Sequence, residues 1–545
     1  MSGGKPSLRH LLTETDRFIT GIELVTSRGV ITSPRASRQL AIAQELAGHP
    51  RIDLMNMTDN PAGSAMITAD TMAADLRARG QEVCLHLACK DWNRNALQSR
   101  AYKLASEGYW NVLALSGDVP VSGFQGVSAG VFDIDAVGLL RMYTDLNEQE
   151  GLEFFMGAVV TNHKANENEV VPQLLKLRKK VDNGARWIIN QVGYNARKDD
   201  ELLRWMHNNG LGEIPVLANV YVLAKGAARA FNANRVPGCR VSDRLLEAIM
   251  RESEKPDGGK GFFHDLAARQ VVVARGLGYR GAYIGGHLEA ADYLDILDRA
   301  DAYGWDSWRE LARTIDYEEP GEWYFYDRDE RTGLSSDRLN PEYAKSLEGR
   351  RRGHGAPLRY RFSRGMHNTV FAEDAPLFKL GTKLYEGVEK APKWVGKTLH
   401  MAEQANKVPL FECRDCGDCS LPDIAYLCPE SQCAKNQRNG PCGGTRPGSL
   451  CEVGDKLCIW ARAYDRLKPY GEELTMLDGP VVIKDNALAR TSAWQNTFLH
   501  RDHHAKALAA AEEERKALAE EAAAKASGAK ALPPGGGAAA SAAKP

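Results

Sequence analysis

The sequence has almost no net charge, no long apolar run and no dinucleotide fingerprint, and each absence removes a class of protein. Lys plus Arg (70) nearly cancels Asp plus Glu (71) over 545 residues, so no global field recruits nucleic acid or an anionic membrane. No stretch approaches the roughly 18 apolar residues of a membrane span. Met1 to Glu14 carries Lys5, Arg9 and His10 among polar residues and lacks the apolar core of a signal peptide, so a cytoplasmic location is expected. No Gly-x-Gly-x-x-Gly follows a candidate strand, so no separate dinucleotide-binding domain is expected. Cysteine is scarce over most of the chain, because eight of the eleven fall between Cys413 and Cys458. In a reducing compartment such a cluster points to metal rather than to disulfides.

What is present is a recurrence. Short apolar runs at Phe18 to Val25, Ile52 to Met57, Val83 to Leu87, Val112 to Leu115, Phe154 to Val160, Trp187 to Val192, Val216 to Leu223 and Ala282 to Ile284 read as buried strands. Most intervals are roughly 30 residues, the length of a strand plus a crossover helix. Thr68 to Arg79 and Asn93 to Glu107 show helical spacing, with Asp70 and Asn93 as expected N-caps and Gly80 and Gly108 as expected C-caps. Eight such units predict an α/β fold, a (β/α)8 TIM barrel, with a doubly wound sheet as the alternative. Lys255-Pro-Asp-Gly-Gly-Lys-Gly reads as a flexible loop before the last strand.

The chain exceeds the length at which one core keeps growing, so a further domain is expected. The expected divisions are a barrel over 15–310, a connecting region over 311–397, a cysteine-rich domain over 398–500 and a helical to disordered tail over 501–545. The Arg350 to Arg352 run reads as a solvated face.

Polar residues collect at the carboxyl ends of these strands: Glu23 on the first, Thr58 and Asp59 after the second, His86 and Cys89 on the third, Asp118 after the fourth, Gln191 on the sixth. Any one of them could be a satisfied core group. Five strands ending this way describe a convergent site at the top of a barrel.

Four stretches then resemble one family in the same order: Ile22-Glu-Leu; His86-Leu-Ala-Cys-Lys-Asp with Asn93-Arg-Asn-Ala-Leu; Asn111-Val-Leu-Ala-Leu-Ser-Gly-Asp-Val-Pro; and Leu177-Arg-Lys-Lys-Val-Asp-Asn-Gly-Ala followed by Ile189-Asn-Gln. Over about residues 15–310 the chain resembles methylenetetrahydrofolate reductase. The resemblance implies an oxidoreductase of one-carbon and methionine metabolism that binds FAD and a tetrahydrofolate substrate. It casts Glu23 as the general acid, Asp118 as a catalytic and pterin-holding carboxylate, and Gln191 and Thr58 as substrate contacts. Thr58, His86, Leu115, Ser116, Gly117, Asp118, Lys179 and Lys180 fall at flavin-contacting positions, the two lysines at the diphosphate, and His163 stands near the family's flavin-binding histidine. A carboxyl in a barrel mouth has its pKa raised toward the range of a general acid, which agrees with the role of Glu23. Ser116 stands where many members carry a basic residue, so the flavin is expected to be held differently around it.

The cysteines read C-x2-C-x2-C at Cys413, Cys416 and Cys419, then Cys428-Pro, Cys433, Cys442, Cys451 and Cys458, with Gly417, Gly440, Gly443 and Gly444 for tight turns. Eight thiolates suffice for two four-thiolate centres, of iron-sulfur, zinc or both, and their grouping is open at this level. The segment also resembles the C-terminal domain that accompanies some members of the family, which implies electrons passed to the flavin. NAD(P)H and a one-electron donor protein both stand as reductants, and a homo-oligomer is expected. Two other readings are weighed: a pterin-dependent methyltransferase with a structural zinc domain, and a non-catalytic electron-transfer or assembly subunit.

Overall fold

A computed structural model of the chain describes residues 5–348 and 353–505. The tail expected beyond about Ala505 and the run Arg350 to Arg352 lie outside the described residues. Eight parallel strands close into a barrel in sequence order: β1 (Ile19–Leu24), β2 (Leu54–Met57), β3 (Val83–Ala88), β4 (Asn111–Leu115), β5 (Phe155–Val160), β6 (Trp187–Asn190), β7 (Val216–Val222) and β8 (Gly281–Gly286). β8 returns to β1, with Ile19 opposite Gly281 and Ile22 opposite Ile284. Each strand falls inside or within a residue or two of an apolar run.

Side chains alternate between two cores, as the pleat requires. One alternate set, including Ile19, Leu54, Cys84, Leu113, Phe155, Trp187, Leu217 and Tyr283, fills the barrel interior. The helix Leu8–Thr13 adds Leu8, Leu11 and Leu12 to this cluster and plugs the amino-terminal end. The opposite set packs under the helices. Gly157 on β5 leaves room for the Trp187 indole, which a Cβ there would strike.

Local expectations fare unevenly. Asn93 caps the helix Arg94–Ser106, accepting from the Ala96 amide at 3.0 Å, and Gly80 and Gly108 take left-handed φ of 79° and 73° just past their helices. Asp70 is not a cap. It sits in the first turn of the helix Ala69–Ala78 and accepts from Lys103 at 2.6 Å, an ion pair invisible in local sequence. The glycine-rich stretch at 255–261 is a tied turn rather than a free loop. Asp257 accepts from the amides of Gly259 and Gly261, and that turn starts the helix Lys260–Leu277.

The region beyond the barrel divides differently from the sequence-based expectation. Residues up to 348 pack on the barrel. Glu201 accepts from the Phe325 amide at 2.6 Å, and the strands Tyr326–Arg328 and Ser335–Leu339 pair antiparallel. From Leu358 the chain forms helices that pack with the cysteine segment: Tyr360 shares a core with Ile424, Leu427, Ile459 and Trp460. The expected boundary at 397–398 therefore falls inside one helix, Lys393–Phe411. Among the described residues no helix is long and apolar enough to cross a membrane.

Overpacking a close-packed interior costs about 1–3 kcal/mol. Gly157→Ala is expected to lower the thermal midpoint with loss of near-ultraviolet ellipticity from Trp187; an unchanged midpoint would contradict the interior packing described.

Candidate functional site

The open, carboxyl-terminal end of the barrel gathers the polar members of the inward-facing series. Glu23 follows Ile19 and Gly21 along β1, His86 follows Cys84 along β3, and Gln191 follows Trp187 and Ile189 along β6. Gly285 on β8 permits this. A Cβ there would collide with the Glu23 carboxylate. Burial raises the Glu23 carboxyl from its usual range to about 7, although a hydrogen bond from the Tyr283 hydroxyl works in the other direction. The acid is thus half protonated near neutrality.

His86 is held neutral by burial, its pKa pushed down to about 4. Its Nε2 has no hydrogen-bond partner, and neither does the nearby Asn56 Oδ1 on β2. Buried polar atoms left unpaired in a barrel mouth fit a polar heterocycle such as a flavin ring. Gln191 turns its Oε1 toward the Val192 amide at 2.9 Å and lies 3.9 Å from the Cys239 sulfur. Cys239, Tyr283 and Tyr221 are mouth residues that the sequence reading missed. Cys239 lies within electrostatic reach of both Asp118 and Glu23, and burial lifts its thiol to about 12. The alternation that selects Glu23 selects Tyr221 and Tyr283 as well.

β4 ends at Leu115, and the loop after it carries Ser116, Gly117 and Asp118. Gly117 has a φ of 83°, and a Cβ there would press on Ala88 and Lys90. The Asp118 side chain is 36% exposed and faces Lys435 at 3.9 Å; Lys435 in turn pairs with Glu452 at 2.7 Å. Both partners come from the cysteine segment. Ser116 does likewise, donating to Gln437 Oε1 at 3.1 Å. Ser116, expected from the resemblance to mark an altered flavin contact, thus meets the C-terminal module.

Three other expected cofactor residues are engaged elsewhere. Thr58 braces the neighbouring loop, accepting from the Thr26 amide at 3.0 Å. Lys179 donates to the carbonyls of Gly479 and Pro480 at 2.9 and 3.1 Å, and Lys180 to that of Val159. With their amines committed to carbonyls, these lysines do not fit the diphosphate of FAD; burial also lowers Lys180 to about 7. Asp59 forms a buried pair with Arg100 at 2.9 Å, and His163 one with Asp199 at 3.0 Å.

The eight cysteines separate into two groups of four in chain order. Cys413, Cys416, Cys419 and Cys428 line one small cavity. Cys433, Cys442, Cys451 and Cys458 form the other, each within electrostatic reach of another member. Backbone amides already point at sulfur in both, from Asp415 to Cys413 and from Gly444 to Cys442, each at 3.4 Å. The second group lies against the barrel mouth. Cys442 acts electrostatically on Lys164, Lys180 and Lys435, and Gly443 (φ 86°) brings its loop onto Thr161 where a Cβ could not fit. Buried lysines secure the contact: Lys164 donates to the Thr445 carbonyl at 3.1 Å, and Lys176 to Gln437 Oε1 and the Gly440 carbonyl, each at 3.0 Å. Asn439 adds bonds to Asp135.

A closed parallel barrel with a buried acid in its mouth and a cysteine-rich module docked over it defines a two-part class of barrel protein. A family model described as methylenetetrahydrofolate reductase matches residues 32–271, and one described as methylene-tetrahydrofolate reductase C terminal matches residues 393–486. The barrel and the C-terminal module thus each match the methylenetetrahydrofolate reductase family, whose name marks it as one of oxidoreductases. The chain is 29% identical over 190 residues to methylenetetrahydrofolate reductase 2 of Schizosaccharomyces pombe, a match covering 32% of this chain and 28% of that protein. Among solved structures, a Clostridium thermocellum protein that binds two copies of 5-methyl-5,6,7,8-tetrahydrofolic acid is 10% identical, with a TM-score of 0.41, covering 54% of this chain and 97% of that one. Oxaloacetate acetylhydrolase is 13% identical, with a TM-score of 0.31, covering 56% of this chain and 85% of the other.

Leaving buried acceptors unpaired costs about 1–3 kcal/mol each. Lys176→Met is expected to loosen the module, read as faster proteolysis between residues 412 and 458 with the barrel intact. Unchanged cleavage would mean that this lysine does not hold the two parts together.

Proposed function

We propose that this chain reduces methylenetetrahydrofolate to methyltetrahydrofolate in the barrel mouth, with a bound flavin and with electrons entering through the C-terminal thiolate groups. The observation that carries the reading is Glu23, an acid buried in the barrel mouth whose pKa burial raises to about 7, at the position where the family resemblance casts a proton donor. A flavin bound there supplies the hydride. Glu23 keeps its proton until a pterin ring nitrogen lies beside it, and giving that proton up opens the methylene bridge toward an electrophilic iminium. Tyr283 orients the carboxyl through its hydroxyl. In this reading Asp118 and Gln191 would hold the pterin, and His86, Leu115 and Gly117 would meet the flavin ring. The lysines at 179 and 180 are left out of this site for the reason given above.

The two cysteine groups are proposed as metal centres, of iron-sulfur or zinc type. The second group stands beside the Lys435–Asp118 contact, which supports delivery of electrons from that side of the mouth. Iron would make the path a one-electron one.

Glu23→Gln is expected to keep bound flavin and to lower kcat by about 100-fold or more, the usual worth of a positioned acid. In the wild type, kcat should fall as pH rises through about 7, because the acid must be protonated to act. Turnover by the glutamine variant at the wild-type rate, or a flavin-free wild-type protein, would overturn this reading, the second in favour of a methyltransferase.

A further inference from the structure

The C-terminal module holds a second cluster of ligand-type atoms, away from the cysteine sulfurs. Asp423, His503 and His504 present three donor atoms within 4.8 Å of one another. The Nε2 atoms of both imidazoles converge on one carboxylate, His503 at 3.1 Å from Asp423 Oδ2 and His504 at 2.9 Å from Oδ1. Each far ring nitrogen faces a further carboxylate: His503 Nδ1 lies 2.5 Å from Asp418, and His504 Nδ1 lies 3.7 Å from Asp502. Those carboxylates are anchored in turn. Asp418 accepts from the amides of His503 and Asp485, and Asp502 accepts from the Thr497 hydroxyl at 2.7 Å.

We propose that Asp423, His503 and His504 bind a divalent transition-metal ion, with Asp418 and Asp502 orienting the two imidazoles. Two histidines and one carboxylate are the ligand set of open zinc and non-haem iron sites, and a carboxylate behind each ligating imidazole is their usual support. Three carboxylates, Asp418, Asp423 and Asp502, surround two tilted imidazoles whose ring centroids lie 4.0 Å apart, so both rings are held in place from either side.

Three protein ligands leave a coordination position open. His504 and Asp502 line a groove of about 680 Å³ whose walls include Phe362, Met366, Phe371 and Trp494. His367 faces the same groove from the first residue of a π-helical turn, His367–Phe371, within electrostatic reach of His504 and Asp423. Such turns recur at functional sites. The ion is thus placed to hold an apolar molecule that carries one donor atom.

The test uses the holoenzyme as purified, with its cysteine centres filled, titrated with Co2+. One added equivalent is expected, with weak visible bands and no thiolate-to-cobalt charge transfer. Asp423→Asn and His504→Ala should each lose that equivalent while flavin and cysteine-bound metal stay constant. Asp502→Asn should weaken binding about 10- to 100-fold. No added equivalent in the wild type, or full uptake by the Asp423 and His504 variants, overturns the site. Cobalt-edge X-ray absorption of the titrated wild type reads the same question: nitrogen and oxygen neighbours at about 2.0–2.1 Å support it, and a sulfur shell refutes it.

Discussion

A buried ammonium must find acceptors, and that constraint joins the two halves of this molecule. Lys164 leaves the loop after β5, Lys176 and Lys179 leave the helix Glu167–Asp182 that follows it, and every one of their amines ends on an oxygen of the C-terminal module. The bonds run between residues about 280 positions apart in sequence. The seam between barrel and module is thus fixed by buried lysines of the barrel on oxygens of the module.

That seam explains the arrangement of the mouth. The loop carrying Cys442 is pressed against β5 by Gly443, and Lys435 is delivered to Asp118 with Glu452 behind it. A carboxylate that would otherwise face open solvent gains a cation from the module, while Glu23, deeper in the barrel, sees mainly desolvation and keeps its proton to about pH 7. Two carboxyl groups in one mouth thus have different surroundings, Glu23 desolvated inside the barrel and Asp118 beside a lysine of the module.

Much of the fold was legible because barrel strands are buried on both faces and announce themselves as apolar runs separated by one helix length. The failures are instructive. Asp70 looks like a cap but pairs with Lys103 across to the next helix. The Gly-rich stretch at 255–261 looks flexible, yet one carboxylate, Asp257, ties it into a turn. Lys179 and Lys180 resemble phosphate ligands, and two basic residues in a row do not reveal whether their amines meet phosphate or backbone carbonyls. Ser116 drew notice in the sequence for a flavin role, and its partner in the structure, Gln437, lies 321 residues away.

By itself the sequence determined the barrel, the placing of Glu23, His86 and Gln191 on its inward face, and the presence of eight clustered thiols, because period-2 alternation and cysteine spacing are local properties. The tertiary structure alone decided which four cysteines stand together, which group meets the mouth, and that the two histidines at 503 and 504 come to rest on Asp423. Those facts depend on contacts between distant segments, and no short-range pattern encodes them.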